Sequence, residues 1–170
     1  DFALAVNISA LQFAEENFIE TVKQVFDDTG ASPSRLKFEL TETCLVQDIN
    51  RARNIMKALR NMGLQVELDD FGTGYSSLNS IKNLPLTALK IDASLIRDIE
   101  KDESSRAIVR AALAMARAMS LQTIAEGVET ESQMDYLVAE DCDMIQGYLV
   151  AKPMPYDDFI SYLGRKLKIA

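Results

Sequence analysis

Six short apolar stretches constrain this chain most, because each ends at or beside a polar residue and most lead into a segment with helical spacing. Leu4-Ala5-Val6 leads to Asn7, and Leu36-Lys37-Phe38 leads to Glu39. Leu64 to Leu68 leads to Asp69, Leu86 to Ile91 contains Lys90, Gln122 to Ala125 leads to Glu126, and Met144-Ile145 leads to Gln146. The spacing predicts a helix over 11–27, with Leu11, Ala14, Phe18, Val22 and Val25 on its apolar face, closed by Gly30 and Pro33. A second helix is expected from about Asp48 to Met62, stopped by Gly63. Asp69 to Gly74 reads as a glycine-rich loop, followed by a short helix from about Ser76 to Lys82. Further helices are expected over Ser104 to Met119, after a capping box formed by Thr130 and Gln133, and near Tyr156 to Leu163.

Strands alternating with helices imply an α/β fold with a parallel sheet covered by helices. An open doubly wound sheet concentrates function at one switch point, whereas a barrel gathers every strand end around one mouth. Polar residues at successive strand ends favour the TIM-like (β/α) barrel. About two strand units are expected to be missing on its N-terminal side, so that residues 1–170 form a single domain, roughly the C-terminal three quarters of the barrel.

Composition narrows the chemistry. The chain has no histidine, which excludes a Ser-His-Asp triad, a Cys-His dyad and His-ligated zinc. The formal net charge of −8 argues against broad binding to DNA or RNA polymers or to an anionic membrane. An acidic protein that takes a phosphate ligand needs a local reversal of the field, which bound divalent cations supply. No apolar run approaches the roughly 20 residues of a membrane span, so no membrane contact is expected from this segment. Cys44 and Cys142 have no metal-ligand spacing, and a reduced, cytoplasmic setting is the expectation.

Glu39, Asp69, Asp70 and Glu126 would converge on one rim and repel one another without counter-charge. Hard cations remove that repulsion, and Asn7 adds a neutral oxygen donor. Asp69 is placed to bridge two ions, with Asp70 on the second, and two ions roughly 4 Å apart would hold both oxygens of a displacement at phosphorus. Lys90 stands two residues before Asp92, whose carboxylate would keep it protonated. A permanent ammonium suits charge stabilisation and weakens an aldolase-like reading with a Schiff base on Lys90. Glu126 is the best candidate for ordering or deprotonating an attacking water. Taken singly, each acid has a plainer reading as a helix cap, and Asp69-Asp70 before Gly72 reads equally well as a turn. Glu42, Thr43 and Glu129 read as loop-bracing or capping groups. The glycine loop lacks a following Gly-Lys-Ser/Thr and is no P-loop.

Val6-Asn7-Ile8-Ser9, Phe38-Glu39-Leu40-Thr41-Glu42, Asp69-Asp70-Phe71-Gly72-Thr73-Gly74-Tyr75-Ser76-Ser77-Leu78, Leu89-Lys90-Ile91-Asp92, Ala125-Glu126-Gly127-Val128-Glu129 and Gln146-Gly147-Tyr148 with Lys152-Pro153 resemble, in order, the motifs of EAL domains. The resemblance implies a modified TIM barrel that hydrolyses one phosphodiester of cyclic di-GMP to the linear dinucleotide, using magnesium or manganese at a two-metal site. It further implies Asn7, Glu39, Asp69 and Asp70 as metal ligands and Glu126 as the base or a ligand of the nucleophilic water. Lys90 would support that water and the phosphate, and Gln146 would line the site. Glu42 would pin the loop after Asp70, a loop tied to homodimer formation in this family, with Asp92 and Glu129 auxiliary. The family also implies a bacterial cytoplasmic setting, in some members as part of a larger membrane-bound protein. Regulatory or GGDEF-type domains in the parent protein are part of the same expectation.

Two departures matter. The Glu-Ala-Leu motif that names the family is absent, and with it one expected metal ligand. That leaves open a second class of function, a cyclic di-GMP receptor without turnover. Leu11 stands where the family often has a polar residue.

Overall fold

The computed structural model describes residues 3–46, 48–72 and 81–166. Six parallel strands lie in chain order, β1 (Leu4–Ile8), β2 (Leu36–Thr41), β3 (Gln65–Phe71), β4 (Ala88–Ile91), β5 (Gln122–Ala125) and β6 (Met144–Ile145). A doubly wound sheet reverses its strand order partway, and this one does not. Ala3 and Ala5 at one edge and Met144 and Ile145 at the other line a single cavity of about 320 Å3, so the sheet curves into an arc with both edges facing one interior. That is the geometry of an incomplete β/α barrel, as expected.

Alternation along the strands separates two environments. Phe38, Leu40, Val66, Leu68, Leu89 and Ile91 point outward into the apolar core. Lys37, Glu39, Glu67, Asp69 and Lys90 occupy the alternate positions. Helices α1 (Ala10–Ala14), α2 (Phe18–Thr29), α3 (Thr43–Val46), α4 (Ile49–Asn61), α5 (Ala93–Asp98), α6 (Glu103–Ala118), α7 (Glu131–Ala139) and α8 (Tyr156–Lys166) connect and follow the strands. Helix α4 shows how sequence drives the packing. Asp48 caps it by accepting from the backbone N–H of Asn50 and Arg51, and Ala52, Ile55, Met56 and Leu59 are buried. Each of the three large side chains contributes about 1.5–3 kcal/mol by leaving water.

Three expectations change. The helix over 11–27 is two helices, because Glu15 is extended (φ −65°, ψ 138°) and the chain restarts at Phe18. The break lets Phe13 and Phe18 meet with ring centroids 5.8 Å apart, while Leu11 and Val25 face solvent instead of the core. The second change is at β3, which runs on through Asp69, Asp70 and Phe71 where a loop was expected. Third, α3 and α5 were not foreseen, being too short to show a period. Thr73 and Gly74 of the glycine loop and most of the helix expected over Ser76–Lys82 lie outside the described residues.

Candidate active site

The mouth of the arc is built around a bulge in β3. Leu68 pairs with Leu89 and Phe71 with Ile91, so β3 spends one residue more than β4 over this step. Asp70 carries the irregularity at φ 57°, a left-handed conformation that costs most side chains about 1–2 kcal/mol and that Asp tolerates better than most. In a regular strand Asp69 and Asp70 would face opposite sides of the sheet. The bulge turns them together: Asp69, Asp70 and Glu126 each bring one carboxylate oxygen within 4.8 Å of the others. Stored strain of this kind persists where the surroundings impose it, often at functional sites.

Lys90 stands at the centre of the cluster. Its Nζ lies 2.6 Å from Glu126 Oε1, 2.8 Å from Glu39 Oε1 and 3.0 Å from Asp69 Oδ1, and its side chain is 3% exposed. Burial disfavours the ammonium, but hydrogen bonds to Glu126, Glu39 and Asp69 outweigh it and hold the pKa above the ordinary lysine value. The partners differ from expectation. Asp92 does not hold Lys90; its carboxylate accepts from Ser94 N–H at 2.9 Å and caps α5. The strand ends at Ile91, so the same-face argument stops one residue short of Asp92.

Burial raises the pKa of Glu126, with Lys90 pulling the other way. Burial, then the neighbouring charges of Asp69 and Asp92, raise that of Asp70. Two acids tilted toward their protonated forms mark a place where a further cation would be welcome.

Other residues fall around this centre. Glu39 stands outside the triad of close oxygens and reaches it through Lys90. Asn7 is the register partner of Glu39 on β1, exposed at the edge of the sheet. Glu42 is buried just past β2, close enough to raise the pKa of Asp70 electrostatically. Gln146 lines the interior cavity beside Glu39, and its backbone joins the end of β5 to the loop after it, donating to Ala125 and accepting from Val128 N–H. Glu129 is exposed; its N–H donates to Gln133 Oε1 at 2.7 Å, opening α7.

Two positioning features were not read from the sequence. Gly147 sits so close to Val128 that an added Cβ would collide with its backbone carbonyl and amide nitrogen, which straps the loop carrying Glu126 to the end of β6. Such a close approach leaves no pattern beyond the glycine itself. Lys37 and Glu67 form an ion pair at 2.7 Å, and both line the interior cavity. Nothing in the sequence sets either apart from other polar residues within a strand.

The EAL domain family model matches residues 1–153. The Escherichia coli cyclic di-GMP phosphodiesterase PdeR is 41% identical over 167 residues, 98% of this chain and 25% of that protein. The chain spans about a fifth to a quarter of the length of the curated relatives it matches. The phosphodiesterase MucR, solved in complex with c-di-GMP, superposes with a TM-score of 0.89 at 40% identity, over 94% of this chain and 64% of that one. Klebsiella pneumoniae BlrP1, solved with manganese and cyclic di-GMP, gives 0.78 at 29% identity over 86% of this chain and 38% of that one. The match over nine tenths of the sequence, together with the fold it predicts, shows that this chain belongs to the EAL domain family.

Proposed function

We propose that this chain supplies most of a divalent-cation-dependent phosphodiesterase site that hydrolyses cyclic di-GMP to its linear dinucleotide. The observation that carries the reading is Lys90 held by Glu39, Asp69 and Glu126 at the mouth of the arc, with Asp70 turned into the same place. The donor set fits hard cations: carboxylate oxygens within 4.8 Å of one another, two of them with raised pKa, and no nitrogen or sulfur ligand among them. Asp69 and Asp70 would hold magnesium or manganese, with Glu39 and Asn7 completing the set on the β1–β2 side. Bound there, the cations would supply Lewis acidity and a nucleophile at neutral pH.

The chain's own groups do the rest. Lys90 keeps a fixed positive charge beside the position where negative charge develops on phosphate, and its low exposure strengthens that interaction. Glu126 takes the proton of the attacking water, a task its raised pKa suits. Gln146 faces the interior as a polar contact for the ligand. Asp92 and Glu129 hold the helix starts that fix the loops after β4 and β5. Glu42, whose charge acts on Asp70, keeps the loop-bracing role that the family resemblance implies, and homodimer formation would act through it. The whole of residues 1–170 is read as one domain unit, with Mg2+ or Mn2+ as cofactor and regulatory domains elsewhere in the parent protein.

The test is chromatographic detection of linear dinucleotide from cyclic di-GMP, with Mn2+ or Mg2+ and then with a chelator. Turnover that stops on chelation and returns with either ion supports the proposal. Turnover indifferent to chelation removes the cation from the mechanism. Tight binding without product would favour the receptor reading.

A further inference from the structure

Beneath the rim lies a second ionic layer that the proposed chemistry does not use. Lys37 Nζ meets Glu67 Oε1 at 2.7 Å, with side chains 18% and 2% exposed. Glu67 is the register partner of Glu39 on β2 and of Ala88 on β4, two residues before Lys90. A side-chain period of two therefore puts Glu67 one layer below Lys90 on the same interior face, and Lys37 one layer below Glu39. The step between layers is about 7 Å, within reach of a flexible four-carbon lysine stem. A carboxylate as buried as Glu67 cannot be satisfied by water and needs a cation.

We infer that Lys37 is a positioning residue for Lys90: by neutralising Glu67 it removes a buried anion that would otherwise draw the Lys90 ammonium down a layer, away from Glu126 and Asp69. The upper lysine can serve three rim carboxylates because the lower acid already has its own cation. The consequence for turnover rests on the phosphodiesterase reading; the consequence for the place of Lys90 does not.

The test uses the full chain with Mg2+ and follows two readouts. One is kcat and KM for cyclic di-GMP. The other is the Lys90 ammonium 15N resonance, assigned by its loss in Lys90→Met. Lys37→Met is expected to lower kcat about tenfold or more with KM changed less than about threefold, and to move the Lys90 signal. Lys37→Met with Glu67→Met, which removes the competing acid, is expected to restore both. Should Lys37→Met not fold, Glu67→Gln reads the coupling from the other side: the released Lys37 turns to Glu39, two residues along the same strand, so the Lys90 signal moves and kcat falls. A lower melting temperature with kcat and the Lys90 signal unchanged, or a double variant that restores neither, overturns the inference. If the wild-type chain hydrolyses nothing, which the absent Glu-Ala-Leu ligand by itself accounts for, the ammonium signal alone decides this inference.

Discussion

Replacing Lys90 with methionine removes the ammonium and keeps much of the stem. Three carboxylates then lose their common partner, with side-chain exposures of 8% (Glu39), 11% (Asp69) and 16% (Glu126). Breaking a buried pair by deleting one partner costs about 3–5 kcal/mol, and here one deletion strands three acids. The upper part of that range is not reached at every pH, because the stranded acids escape the penalty by taking protons. The sign follows. In the wild type, the raised pKa of Lys90 gives stability that is full below its ordinary value of 10.5 and fades as pH climbs toward the folded value. In Lys90→Met, Glu126 loses the hydrogen bond and charge that pulled against burial, so its pKa rises further. The deficit is then smaller near pH 5 and grows toward pH 8. Urea unfolding of the two proteins across that range, without divalent ions, should show a gap that widens with pH to about 3–5 kcal/mol. Saturating Mn2+ should narrow it, because the same oxygens gain another counter-charge. A gap under about 1 kcal/mol, independent of pH and of Mn2+, refutes the claim that Lys90 is the internal counter-ion of this site.

Three further outcomes concern the groups around Lys90. In ion-free protein, 13C carboxyl titrations of Asp70 and Glu126 should have midpoints above 3.8 and 4.5, and added Mg2+ should lower both; midpoints at or below those values would contradict the effect of burial. Asp70→Gly should match or exceed wild-type stability while Asp70→Val falls about 1–2 kcal/mol below it, because φ 57° suits glycine and not a branched side chain; calorimetry should find Mn2+ binding weakened in both. Gly147→Ala should cost about 1–3 kcal/mol in thermal unfolding and lower turnover, since the new Cβ cannot coexist with the Val128 backbone; an unchanged enzyme would show that the strap does not position Glu126.

The strand order and the convergence of acids were legible because they depend on a period of two and on where apolar runs stop. The sequence alone assigns Glu39, Asp69 and Glu126 to one mouth, since a barrel gathers its strand ends there. The extension of β3 was hidden for a physical reason. Nothing in Asp69-Asp70-Phe71-Gly72 distinguishes a loop from a strand that absorbs one extra residue, and a left-handed aspartate leaves no periodic trace. The partners of Lys90 were hidden differently. Sequence proximity pointed to Asp92, but a β-strand hands its side chains to neighbouring strands, and the contacts that matter bridge residues 21 to 51 positions away, from Asp69 to Glu39.

The same distinction explains how one interior can hold so many charges. Outward positions on β2, β3 and β4 are apolar and supply the burial that stabilises the fold, with Leu40, Leu68 and Leu89 fully buried. That leaves the inward positions free to carry Lys37, Glu39, Glu67, Asp69 and Lys90, a set that would be untenable in an ordinary core. The cost is met by ordering the charges in layers, one lysine to one acid below and one lysine to three acids above. Only the upper layer is left with an excess of negative charge, and it is the layer at the mouth. On the proposed reading, a divalent cation entering there would complete a neutralisation that the protein has left unfinished, whereas the lower layer would offer it nothing. Specific placement of a cation in a chain of net charge −8 would thus follow from which acids already have a partner, and not from where acids are most numerous.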